Sequence, residues 1–233
     1  QQANKLAFMK KNSLIAAGLF DEKEHSNQDV EELFKNVETR IVNLETGEYT
    51  DEVTVDQYDQ RKASKDPQQS KKLSSEDDPA VLKRREKYSF VYLVKKESDG
   101  SLDQIVLPIR GYGLWSTLYG FLALDADTTT IRGITFYEHG ETPGLGGEVD
   151  NPAWKAKWNN PDDPKLAFDE NWDFKIEVIK GVVTPDDPQR KYKVDGLSGA
   201  TITTRGVSHM LQFWLGKDGF GPFLKTIRAG GEL

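Results

Sequence analysis

The 233-residue chain carries a formal net charge of −7, with 36% hydrophobic and 30% charged residues. That length buries a real core, and the negative balance argues against nucleic acid as a partner. The absence of cysteine excludes disulfides, iron–sulfur clusters and thiolate zinc sites within the chain, and His25, His139 and His209 fall in no metal-ligand spacing.

Residues 4–19 read as a helix ending at Gly18. A second helix is predicted from Asn27 to Asn43, because Val30, Leu33, Phe34, Val37 and Ile41 recur at three- and four-residue steps. Glu45–Glu48 reads as a turn. From Asp51 to Lys87 charges of both signs alternate with Ser, Gln and Pro, and Lys83-Arg84-Arg85 is the dense basic cluster. This stretch is expected to be a solvated loop or helix face.

Tyr88–Val94 alternates and is rich in β-formers, so it reads as a strand. After a turn over 95–100, Gln104–Arg110 is its expected partner, with Pro108 favouring an edge or a strand end. Tyr119–Leu124 and Ile131–Tyr137 are further strands. Asn151–Trp158 suits a short helix with Asn151 as cap and Pro152 at its first position, and Trp154 and Trp158 share one face. Phe174–Ile179 and Lys191–Val194 read as strands. A final helix is expected to start from Thr203 or Thr204 as cap and to bury Val207, Met210, Leu211, Trp214 and Leu215, stopping at Gly216. Paired strands with helices at the start, middle and end predict an α+β fold, mostly antiparallel sheet flanked by helices, over a doubly wound parallel one.

Three glycine-bearing segments concentrate the chemistry. Gly111–Ser116 offers Trp115 as a flat face and Ser116 as a small polar group. His139–Gly147 packs four glycines and a proline into nine residues, with Glu141, Thr142, Gly144 and Leu145 as candidate binding positions. It is neither a Walker loop nor a dinucleotide fingerprint. Asp195–Thr201 leaves its backbone nearly bare at Gly196, Ser198, Gly199 and Ala200, and ends on the Thr201 hydroxyl before a helix N-terminus, where amide groups and the helix dipole favour a phosphate. Lys180 is a further candidate, facing an anionic ring or simply exposed. The segments fit a redox site or a non-redox module for a phosphate or sugar. An acyl-transfer pair of Ser198 with His209 is disfavoured, since Ser198 lacks the GxSxG context and His209 falls within the apolar helix.

Gly113-Leu114-Trp115, HGETPGLG over 139–146 and DGLSGAT over 195–201, with Phe213–Gly216 and Gly221–Leu224 downstream, resemble the NqrC component of the bacterial sodium-translocating NADH:quinone reductases. The G subunit of Rnf ion-translocating complexes shares the flavin-binding domain. The resemblance implies an FMN joined by a phosphoester to Thr201 and installed from FAD by a flavin transferase. Ser198, Gly199 and Ala200 would form the backbone bed, and Asp195 would position the motif or serve the transferase's magnesium. Glu141, Thr142, Gly144 and Leu145 would bound the flavin, with Trp115, Ser116 and Lys180 near it. No metal site of the chain's own is expected. The resemblance further implies single-electron relay within a membrane complex toward quinone, with the other subunits as partners and no complete reaction by this chain alone. The flavin domain, 104–233, would lie on the periplasmic side, with residues 1–103 packing on it and a membrane helix preceding a chain that begins Gln1-Gln2-Ala3.

Overall fold

The computed structural model describes residues 1–231. The elements are α1 (Gln2–Ala16), α2 (Val30–Leu33), β1 (Val37–Asn43), α3 (Gln60–Lys65), β2 (Ser70–Lys72), β3 (Arg84–Glu86), β4 (Tyr88–Lys95), β5 (Leu102–Tyr112), β6 (Thr117–Asp125), β7 (Ile131–Glu138), α4 (Pro152–Lys155), β8 (Glu177–Val178), β9 (Lys193–Val194), α5 (Thr201–Trp214) and α6 (Gly221–Arg228). The main sheet runs β1-β4-β5-β6-β7, every pair antiparallel. The fold is α+β.

Both faces of this sheet are covered, and the period of two along each strand sorts side chains between them. Val91, Leu93, Ile105, Leu107, Leu122 and Leu124 join the larger core with α5, α6 and the buried Trp154 and Trp158. Tyr92, Val94, Val106, Phe121 and Ala123 face the other way, onto Leu14, Ala16, Phe20, Val30 and Phe34. Burial on both faces accounts for the apolar residues at successive positions, as in Ile105-Val106-Leu107 and Phe121-Leu122-Ala123-Leu124. No described helix is long and apolar enough to cross a membrane.

Four expectations are corrected. The helix predicted over 27–43 is a short turn of helix at 27–33 followed by β1, in which Val37 lies opposite Val94 and Ile41 opposite Phe90; pairing with β4 overrides the helical spacing. Pro108 lies inside the central strand. It is tolerated there because β5's pairing with β4 ends at Tyr92↔Val106, while pairing with β6 continues through Pro108↔Phe121. The charged stretch is not a plain solvated loop. It holds α3, capped by Asp59, and the β2–β3 hairpin, and within it Arg85 and Glu86 are buried. Arg85 donates to Glu45 and to the Asp218 carbonyl, and Glu86 accepts from Arg110 at 2.7 Å. Finally, the strand predicted over 174–179 contracts to β8, and the one over 191–194 to β9, which pairs with it in parallel.

Candidate functional site

The three glycine-bearing segments meet at the first turn of α5, and Glu141 joins them. Its carboxylate accepts from the amides of Leu114 (2.6 Å) and Trp115 (3.0 Å), and from the hydroxyls of Ser116 (3.0 Å) and Thr203 (3.0 Å). Burial by itself would raise its pKa; these four donors outweigh that and hold the carboxyl below its ordinary range. The close approach demands a glycine at 113, where a Cβ would collide with Glu141 Oε1. Ser116 Oγ also accepts from the Gly140 amide at 2.7 Å. His139 Nδ1 accepts from the Glu141 amide, which leaves Nε2 to donate to Asp150 at 2.7 Å. Glu141 and Ser116 are thus engaged in joining loops, whereas Thr142, Gly144 and Leu145 are exposed on the loop's outer side.

The 195–201 motif is pinned from behind. Asp195 accepts from Lys157 at 2.6 Å and from the Val183 amide at 2.8 Å, and its carbonyl accepts from Trp154 Nε1. Burial opposes ionisation of Asp195, but the Lys157 ammonium and the Val183 amide hold its carboxyl below the ordinary range. The Gly196 amide donates to the Gly181 carbonyl, which ties the segment bearing Lys180 to the motif. Gly199 occupies the left-handed region at φ +70° and turns the exposed Ser198–Gly199 tip into the helix. Leu145 lies against this tip, 3.2 Å from where a Gly199 Cβ would be.

α5 begins at Thr201 with Ala200 in the cap position, three or four residues before the expected cap at Thr203 or Thr204. Thr203 and Thr204 are therefore not caps. Thr203 reaches Glu141, and Thr204 Oγ1 accepts from the Leu197 amide at 3.0 Å. The residue before the helix, Ala200, supplies no side-chain cap, and the first turn holds no acidic residue. The helix's own first turn thus supplies neither a cap nor a carboxylate, and the carboxylate bonded to that turn is Glu141, through Thr203. Thr201 is half-buried and opens on a groove of about 640 Å³ between residues 174–180 and α5, whose walls include Lys180, Arg205 and His209. On the other flank Leu114, Trp115 and Leu145 are 40%, 66% and 44% exposed, a large apolar surface for so few residues.

Arg205 is missed by the sequence pattern, although its position four residues after Thr201 places it on the same helix face. His209 lies within α5 as expected but on its exposed side, lining the groove, and no hydrogen bond joins it to Ser198 among the described residues. The described residues contain no cluster of His, Cys, Asp or Glu able to hold a metal ion.

Residues 113–216 match the family model for the FMN-binding domain, a span from the glycine turn to the end of α5. Over 99% of its length the chain is 48% identical to the NqrC component of the Na(+)-translocating NADH-quinone reductase of Pseudomonas aeruginosa, covering 86% of that protein. The chain belongs to the NqrC family. The corresponding protein of Vibrio vulnificus strain YJ016 is 46% identical, over 99% of this chain and 86% of its own length. Among solved structures, Shewanella oneidensis NqrC superposes with a TM-score of 0.86 at 35% identity, covering 97% of this chain and 99% of its own. The counterpart from Parabacteroides distasonis gives 0.69 at 27% identity, covering 95% and 93%. The family's fold therefore extends through the charged stretch.

Proposed function

We propose that this chain is the electron-carrying flavoprotein subunit of a sodium-translocating NADH:quinone reductase, holding one FMN by a phosphoester on Thr201. The observation that carries this reading is the setting of Thr201. Its hydroxyl begins an uncapped, acid-free helix beside a cationic groove, within a match to the FMN-binding domain. The residues present fit such a group. The free amides of the first turn of α5 and the side chains of Lys180 and Arg205 suit a phosphoryl charge. The exposed faces of Trp115, Leu114 and Leu145 suit an apolar ring.

When bound, the flavin supplies stepwise one-electron chemistry. The protein's part is to hold and orient. Glu141 fixes the Trp115 turn against α5, Asp195 fixes the Lys180 segment against the motif, and Thr201 anchors the whole to a packed helix. Attachment would be the work of a separate flavin transferase acting at Thr201. The other subunits of the reductase would be the redox partners, with this domain on the periplasmic face of the inner membrane, held there by a membrane helix preceding Gln1.

The test is mass analysis of the Thr201 peptide from protein made alongside a flavin transferase. FMN less one water is expected on that peptide, with yellow colour surviving denaturation. Thr201→Ala should fold normally and carry no covalent flavin. An unmodified Thr201 peptide in the wild-type chain, or covalent flavin retained by the alanine variant, rejects the assignment.

A further inference from the structure

The groove beside Thr201 contains a charge that the fold itself does not answer. Every other arginine in the chain has a hydrogen-bond or ion-pair partner. Arg205 has none among the described residues, and no aromatic ring takes its guanidinium. It stands in the second turn of α5, toward the positive end of the helix, where a cation is electrostatically unfavourable unless an anion offsets it. Across the groove stands Lys180; among the described residues it is likewise unpaired, and Glu177 is the one carboxylate lining the groove. This is a local excess of positive charge on a chain of net charge −7.

Arg205 follows Thr201 by four residues, so the two side chains share a face at neighbouring turns, with Cβ atoms roughly 5–6 Å apart. The planar guanidinium presents several N–H donors in a fork matched to phosphoryl oxygens, which a flexible ammonium does not. We infer that Arg205, assisted by Lys180, is the phosphoryl-binding residue of the site and restrains the group carried on Thr201. This rests on the reading of Thr201 given above. A phosphodiester there retains one negative charge at neutral pH, and Arg205 is the side chain placed to neutralise it. No bond is made or broken in this step.

The experiment uses flavin-loaded wild-type chain with Arg205→Gln and Arg205→Lys, compared at equal flavin occupancy by ³¹P NMR and flavin fluorescence anisotropy. In the wild type the phosphorus resonance should move as NaCl rises from roughly 0.1 to 1 M, over which the screening length falls from about 10 to about 3 Å. Arg205→Gln should abolish that dependence and lower the anisotropy; Arg205→Lys should restore most of both. Arg205 is exposed and has no partner among the described residues, so the melting temperature should not change. Wild-type phosphorus position, salt response and anisotropy in a loaded Arg205→Gln chain would overturn the inference and leave the Thr201 assignment standing. A wild-type chain without FMN on Thr201 would overturn both.

Discussion

Replacing Glu141 by glutamine tests how the site is assembled. The carboxylate is 5% exposed and receives four hydrogen bonds, two from amides and two from hydroxyls. Glutamine keeps one acceptor oxygen, enough for Leu114 and Thr203, but turns an NH₂ toward the Trp115 amide and the Ser116 hydroxyl. Ser116 Oγ already accepts from Gly140; it can accept from the glutamine NH₂ as well, but its own O–H then loses the carboxylate it donated to. Bonds to a charged acceptor contribute about 1.5–3 kcal/mol each, and an orphaned buried donor costs about 1–3 kcal/mol. A net loss of about 3 kcal/mol is expected at pH 7, or roughly 6–12 °C in Tm for a chain of this size. The folded-state pKa is depressed, so this stabilisation is fully present above the unfolded value near 4.5 and is lost as pH falls through the folded value. The assay is thermal or urea unfolding of unmodified wild-type and Glu141→Gln chains from pH 7 downward. The gap should close in acid, where the wild-type carboxyl is itself protonated. Equal stability at pH 7, or a gap that persists unchanged in acid, refutes the argument.

Two further substitutions probe the supports around the site. Gly113→Ala drives a Cβ into Glu141 Oε1; it should cost about 1–3 kcal/mol and shift the NMR resonances of Trp115 and Thr203, and an unshifted spectrum would contradict the packing. Glu86→Ala leaves the Arg110 guanidinium largely buried without its carboxylate and should cost about 3–5 kcal/mol in urea unfolding. Because the pair acts as one unit, Glu86→Ala with Arg110→Met should cost less than the sum of the two single changes; strict additivity would deny the coupling.

The strands of the meander were legible because each buries both faces, so their apolar runs stand clear of the turns between them. The stretch from Val30 to Ile41 misled because three- and four-residue steps satisfy a helical pattern, while the decisive fact, pairing of Val37 with Val94, lies far along the chain. Burial of Arg85 and Glu86 was invisible for the same reason: their partners Glu45, Asp218 and Arg110 are remote in sequence. At the site, the motifs singled out three loops that the fold brings together, since unusual glycine density has few explanations. They did not reveal that Glu141 is consumed in joining them. Two candidate capping threonines could not be told apart from first-turn residues, because what holds each hydroxyl is an acceptor or donor supplied by tertiary structure.

The placement of Thr201 has a consequence for motion. From Thr204 onward, α5 is locked by its own ladder and by a buried face against β5, and its amides should exchange with solvent only when the whole domain opens. Immediately before it, the Ser198–Gly199 tip is exposed and should exchange through small local openings. Thr201 is the seam between these regimes. On the proposed reading of Thr201 as the flavin's anchor, the group would hang from the first residue of a packed helix and not from the loop tip, so its distance to a neighbouring redox centre would be set by the helix's position on the sheet.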